Sequence, residues 1–430
     1  MDWKFIKHGA FSYAVIVVNI LTSVIAVREN INILQKELYG VWILAFSTVG
    51  LMGILNLGFS SVAVFRFADH KSESKMDVFH SSNFFILILQ SIATIIAFAI
   101  IYNISDVFVL DPKYRNIFRT LLLLIIPGTL FNIGSAYIEG ILYYNLKFIY
   151  HRNILEFYRI SVFNVVIVIG LYLTKDVLFM AISYSALSLV ALLYSLYKFK
   201  TREELNIHIS KIDTSYLTTN FKDGFSFWAL GTSAFVISQT DVFFISSFLT
   251  DIGLVTLYSQ SFRLQELALR FIKKLTELKG PKVLALINSK NHKAVVDIYL
   301  KLLALNFLLS GVAMVGIILF GKKVLQIWLK NEIVFDQTLI SVLSIICLTS
   351  SIHWVLWNFC NLAGYQNKVR NVVLAEVVIN LLLSYCLIRQ IGLIGLPIAS
   401  IISNGITIIF EIRLFLSFKE QAKQSQFQKV

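Results

Sequence analysis

Four ionisable residues stand where the surrounding sequence is apolar enough to be hydrocarbon-bound. Asp241 interrupts GFSFWALGTSAFVISQTDVFFISSFL (224–249), and Arg263, Glu266 and Arg270 interrupt LVTLYSQSFRLQELALRFIKKL (254–275). A charge at mid-bilayer costs about 2.5–3.5 kcal/mol on insertion scales, which makes each of them a site candidate. On a helix, Ser259, Arg263, Glu266, Arg270 and Lys274 fall on one stripe. Such a stripe should face a wet cavity or a polar neighbour; a salt-bridge ladder or a flat interfacial helix are the plainer alternatives. Glu266 precedes Arg270 by one helical turn, the favourable order for an intrahelical pair, which leaves Arg263 the freer cation. The short turn near Thr250–Gly253 sets Asp241 and Arg263 at nearly one depth, so the two are expected to pair if their faces meet. Glu139 and Arg159 are charged as well, within a turn or two of a span end, where snorkelling and loop pairing account for most such residues.

The elements that carry these residues follow from composition. The chain has 430 residues, 57% hydrophobic and 15% charged, with mean hydropathy +0.74, well outside the range of soluble domains. Apolar stretches long enough to span a bilayer recur near 9–27, 39–65, 84–104, 117–141, 153–174, 177–197, 224–249, 254–275, 300–320, 337–360, 371–389 and 393–416. This predicts an all-α polytopic membrane protein of about 12 spans. The N-terminal apolar run is too long for a signal h-region and is taken as the first span.

Lys and Arg number about 24 in the loops on the terminal side and about 10 on the other, which places both termini in the cytoplasm. The same bias accounts for the net charge of +13 without a nucleic-acid partner. Weak landmarks repeat at about half the chain length: Lys7-x-Gly9 with Lys222-x-Gly224, and Arg152-Asn153 with Arg370-Asn371. They divide the chain into a six-helix bundle over 1–200, a connecting loop over 201–223 and a second bundle over 224–430, related in parallel with a site between them.

Other residue types are read as structural. Cys347, Cys360 and Cys386 lie in apolar runs without metal or disulfide spacing. Asn19, Asn56, Asn132, Asn164, Asn306 and Asn380 are expected to make interhelical hydrogen bonds. His353, beside Trp354 and Trp357, is a candidate proton carrier, though a satisfied core histidine is the commoner case. Glu376 and Glu411 lie close to span ends. There is no P-loop, no H-E-x-x-H and no nucleophile elbow, so no catalytic or metal-binding residue is assigned and no cofactor is expected. The longest external loop, about 16 residues near 321–336, is short for a membrane glycan polymerase or ligase.

Several stretches resemble polysaccharide flippases of the Wzx type: LQKELYGVWILAFSTVGLMGILNLGFSSVAVFRFAD (34–69), TDVFFISSFLTDIGLVTLYSQSFRL (240–264), EGILYYNLKFIYHRN (139–153), LAGYQNKVRN (362–371) and IGLIGLPIASIISNGI (391–406). Two departures stand out: Asn56 replaces a common aspartate, and Gln35-Lys36 stands where Leu-Gly is usual. The resemblance implies a MATE-like fold and an undecaprenyl-diphosphate-linked oligosaccharide, such as an O-antigen or capsule repeat unit. This load would be moved by alternating access to the outer leaflet of a bacterial inner membrane. Membrane lipids, a polysaccharide polymerase and assembly proteins are the partners it implies.

Arginine suits the diphosphate because its fork bonds two oxygens at once, so Arg263, Arg270 and Arg159 are the expected substrate ligands. With no ATP site, an ion gradient is the expected drive, with Asp241, Glu266 and Glu139 as coupling carboxylates. The competing reading of the same fold is a drug or cation antiporter, which would want an acidic, aromatic-lined cavity. A major-facilitator transporter would normally carry a basic loop after span two, which FADHKSESKMD lacks.

Overall fold

The computed structural model describes residues 3–52, 55, 76–109, 111–143, 149–200, 208–277, 279–289, 291–329 and 333–427. Asn56, the loop after it, and the surroundings of the Lys7-x-Gly9, Lys222-x-Gly224 and Arg152 landmarks lie outside the described residues.

The chain runs through α1 (Trp3–Met52), α2 (Met76–Asn103), the single turn α3 (Ser105–Phe108), α4 (Pro112–Tyr143), α5 (Ile149–Phe157), α6 (Phe163–Thr174) and α7 (Leu178–Lys200). It continues through α8 (Thr214–Phe248), α9 (Gly253–Glu277), α10 (Gly280–Asn288), α11 (His292–Trp328), α12 (Gln337–Leu362), α13 (Gln366–Ile391) and α14 (Gly395–Phe427). No strand occurs among the described residues. Proline placement explains the long helices. Pro112, Pro281 and Pro397 sit in first turns, where the missing N–H costs nothing, and only Pro127 lies inside a helix. Asn291 and Asp336 start α11 and α12 by accepting backbone N–H bonds.

Burial is inverted relative to a soluble protein. Along α2, Ser82, Asn83, Gln90 and Thr94 are buried while Phe84, Leu89, Ile92 and Ile96 are exposed. Only an apolar solvent makes that arrangement favourable. Eight stretches among the described residues are long and apolar enough to cross a membrane. One of them, Ala14–Met52, takes in parts of two of the expected spans, and Asn367–Ala422 covers both α13 and α14. With α8 and the polar α9, each of the twelve expected spans falls on helix over its described part; residues 56–65 of the second lie outside the described residues. The chain is an all-α polytopic membrane protein.

The break inside α1 falls at Gln35, whose φ of 64° and ψ of 166° belong to a region that side chains with a Cβ rarely adopt. Glycine would sit there without strain. Gln35→Gly is therefore expected to raise the unfolding midpoint by about 1–4 °C, and Gln35→Ala to leave it unchanged. Equal shifts for the two variants, read by thermal unfolding in detergent, would refute the strain.

The helices form two compact units, Met1–Phe235 with Thr250–Gly253, and Val236–Leu249 with Leu254–Val430. In the first, α4 packs along α7, and α1 along α4 and α6. In the second, α11 lies on α12, α13 on α14, and α12 on α14. Part of the expected connecting loop is ordered against α2: the His208 and Asp213 backbone N–H groups donate to Ser81 and Ser82, and α8 already begins at Thr214. Asp213 provides the helix start by accepting from the Ser215 N–H at 2.8 Å.

Candidate functional site

In the first unit, the site is built where α4, the segment after α5, and α7 meet. Pro127 removes one ladder bond from α4, and a hydroxyl bridges the backbone beside it: the Gly128 N–H donates to Ser185 Oγ at 3.0 Å, and that hydroxyl donates to the Leu124 carbonyl at 2.5 Å. A side chain from α7 is thus inserted into the backbone of α4. The approach is close enough that a Cβ on Gly128 would lie 2.6 Å from the Tyr184 ring and 2.8 Å from the Ser185 backbone. Tyr184 is fixed by this contact. Its ring meets Phe46 edge-on at 5.4 Å, and its hydroxyl accepts from Asn132, which also donates to Ser188 at 3.0 Å.

Between α5 and α6 the chain makes a π turn, Tyr158–Val162, a wide turn often found at functional sites. It carries Arg159. The two carboxylate oxygens of Glu139 on α4 accept from the two terminal nitrogens of Arg159, the Nη1–Oε2 bond at 3.0 Å, and Nη2 also donates to Ser135 at 2.5 Å. The guanidinium borders a cavity of about 340 Å³, also lined by Phe46, Asn132, Tyr158, Phe163 and Ser188. Arg159 Nε and Asn132 Oδ1 are buried without a hydrogen-bond partner among the described residues. A forked cation, unspent amide and guanidinium groups and several aromatic faces suit a ligand carrying both anionic oxygens and ring hydroxyls.

The structure thus joins two residues given separate roles: Arg159, a substrate candidate, and Glu139, a coupling candidate, form one bidentate pair. Other candidates behave differently. Asp241, in the second unit, does not pair with Arg263. It is 2% exposed and accepts from Tyr258 at 2.6 Å, so a neutral hydroxyl takes the place of the expected guanidinium. Equal depth on two helices does not fix rotation, and α9 turns Tyr258 toward Asp241. Arg263 makes no hydrogen bond or ion pair among the described residues. Glu266 and Arg270 form the expected intrahelical pair at 2.8 Å, both well exposed. The charged stripe of α9 is accessible, while Val255, Tyr258, Leu269 and Ile272 are buried.

The asparagines act as the sequence suggests. Asn19 accepts from Ser161, Asn164 donates to Ser23, Asn306 bonds Thr276 and Ser351, and Asn380 donates to Ser400 and Ser403. Sequence reasoning undervalued a second cluster. His353 Nδ1 lies 3.0 Å from Glu411 Oε2, and Glu376 accepts from Thr407 at 2.7 Å. Glu376 and Glu411 are 3% and 0% exposed, so neither snorkels to an interface. Two carboxylates near span ends, recurring at the helical spacing of buried serines and asparagines, were the available signal.

Among solved structures, an inward-facing multidrug-resistance MATE transporter of the MOP superfamily superposes with TM-score 0.69 at 15% identity, covering 96% of both chains. The lipid II flippase MurJ in an inward closed conformation gives TM-score 0.72 at 17% identity, covering 98% of this chain and 92% of that one. The chain shares the fold of these two structures. No family model matches the sequence. A curated relative, the probable low-salt glycan biosynthesis flippase Agl15 of Haloferax volcanii, is 23% identical over 217 residues. That match takes in 49% of this chain and 46% of the relative, so less than half of the relative's length is spanned.

Proposed function

We propose that this protein is a flippase that moves the polar head of a lipid-linked oligosaccharide across the membrane by alternating access. The observation that carries the reading is the Arg159 cavity, where a forked cation, uncommitted hydrogen-bonding atoms and aromatic rings converge. A diphosphate and many hydroxyls need such a lining, because each unpaired polar group in hydrocarbon costs several kcal/mol. The partial likeness to a glycan biosynthesis flippase supports the same substrate class. On this reading the load is an undecaprenyl-diphosphate-linked repeat unit, the membrane is a bacterial inner membrane, and both termini are cytoplasmic.

Substrate phosphate competes with Glu139 for the Arg159 fork, and the displaced carboxylate is then free to take up a cation. That exchange links load to ion. Arg263, without a partner among the described residues and on the accessible stripe of α9, is a second phosphate ligand, with Arg270 released from Glu266 as a third. Asp241 is a further coupling carboxylate. A polysaccharide polymerase and assembly proteins would take the load after transfer.

The test is reconstitution in phosphatidylethanolamine–phosphatidylglycerol vesicles with an undecaprenyl-diphosphate disaccharide carrying a fluorophore on the sugar. An impermeant quencher reads which leaflet holds the label. Protein-dependent transfer is the expected result. No acceleration over protein-free vesicles, with transport of a lipophilic cationic dye by the same preparation, would replace the flippase reading with that of a cation antiporter.

A further inference from the structure

We propose that the second unit contains a one-proton exchange site, made by His353 on α12 with Glu376 on α13, Glu411 on α14 and Lys273 on α9. The inference rests on the flippase reading only for what the proton drives; the site itself stands on its own geometry.

Glu411 is fully buried, and only one of its oxygens is engaged, by the His353 ring at 3.0 Å; Oε1 has no partner among the described residues. Glu376 accepts from Thr407, which lies one helical turn before Glu411 on α14, so the two carboxylates come to the same stretch of that helix. Lys273 is a cation on the same side, its ammonium 4.9 Å from the centre of the ring of Trp354, the residue next to His353.

The charges surrounding this cluster are otherwise settled. Glu266 is paired with Arg270 and Glu277 with Lys274, so neither claims Lys273 alone. Among the described residues, the other ionisable groups that interact with these side chains are two thiols, Cys347 with Lys273 and Cys360 with Glu411.

The balance is simple. Two carboxylates oppose one lysine, so the group carries one excess negative charge when the imidazole is neutral and none when it is protonated. A buried net charge is expensive and a buried neutral network is not. The neutral ring donates its Nδ1 hydrogen to Glu411 and takes the incoming proton on Nε2; release reverses that single N–H bond. A metal cation fits less well, because the imidazole already occupies the approach to Glu411. Proton rather than sodium is therefore the ion this unit exchanges.

The experiment is NMR of the full chain in lipid nanodiscs with 13C at histidine Cε1, titrated across about pH 5 to 10 in potassium and in sodium buffers. The His353 resonance is the one lost in His353→Gln. One titration step is expected, at the same midpoint in both salts. Glu411→Gln should move it toward acid by at least about one pH unit, because one of the two facing charges is gone. Glu376→Gln should move it in the same direction, and serves if the Glu411 variant does not fold. A ring that stays in one protonation state throughout would make the cluster a static bridge and overturn the proposal. So would a midpoint that depends on sodium, which would make the site a metal-cation site. Because no glycan is present, failure here leaves the flippase reading untouched. A flippase assay without transfer would equally leave a titrating His353 intact.

Discussion

Arg159→Ala will abolish transfer of the labelled disaccharide lipid and will also lower the amount of folded protein in the membrane. The two effects have different origins. Truncation strands Glu139, whose side chain is only 19% exposed, beside an emptied cavity. Breaking a buried pair costs about 3–5 kcal/mol, reduced here to about 1–3 by partial exposure. Replacing both members, Arg159→Gln with Glu139→Gln, removes the stranded charge, so the protein level should return while transfer stays at least about tenfold down. Arg159→Lys keeps the charge but not the fork and should restore the level more than the transfer. Arg263→Gln makes a useful contrast, since no partner is left behind and the protein level should not change. Quantitative immunoblotting alongside the vesicle assay separates the terms. Normal transfer by the double variant would remove Arg159 from the substrate path.

The second large effect is expected at Gly128. A Cβ there would press on the Tyr184 ring and on the Ser185 backbone together, and a helix backbone cannot step aside as a flexible side chain can. Gly128→Ala should force α4 and α7 apart, at a cost of about 1–3 kcal/mol, and Gly128→Leu more. Both should reduce transfer, because the same contact aims Tyr184 into the cavity. Gly134→Ala on the same helix is the control. Its Cβ would meet only the Leu192 methyl at 3.3 Å, which can shift. Comparable losses of unfolding midpoint for Gly128→Ala and Gly134→Ala would show that the close approach is not what holds the pair.

Much of the fold was legible because one physical requirement dominates it. Apolar length sets each span, and three of the four prolines fall where helices begin. The expected partners were less legible, for reasons visible in particular residues. Arg159 and Glu139 were both noticed as charges, but their pairing depends on a π turn that rotates Arg159 off the ordinary helical course, and periodicity cannot foresee it. Asp241 was placed at the right depth and given the wrong partner, because depth follows from counting residues while facing depends on how whole helices rotate. His353 and Glu411 are 58 residues apart, and Glu411 was assigned to an interface because it lies near a span end. Its full burial comes from the packing of α12 against α14, which no single helix pattern records.

The π turn at Tyr158–Val162 has a consequence for how this gene can change. A wide turn holds one residue more than the α-helix around it, so it tolerates a deletion in a way regular helix does not. Losing one codon within 158–162 would restore ordinary helix and leave a chain able to fold. The widened turn is what absorbs the extra residue, so the helix on either side would keep its register and the local rotation would be confined to the turn itself. Ser161 and Asn164 are anchored to Asn19 and Ser23 on α1, so α6 would keep its place and the rotation would fall on Arg159. In-frame loss of a single residue is thus the mutation that should silence the site while sparing the scaffold, and descendants without the extra residue would have to meet their substrate some other way.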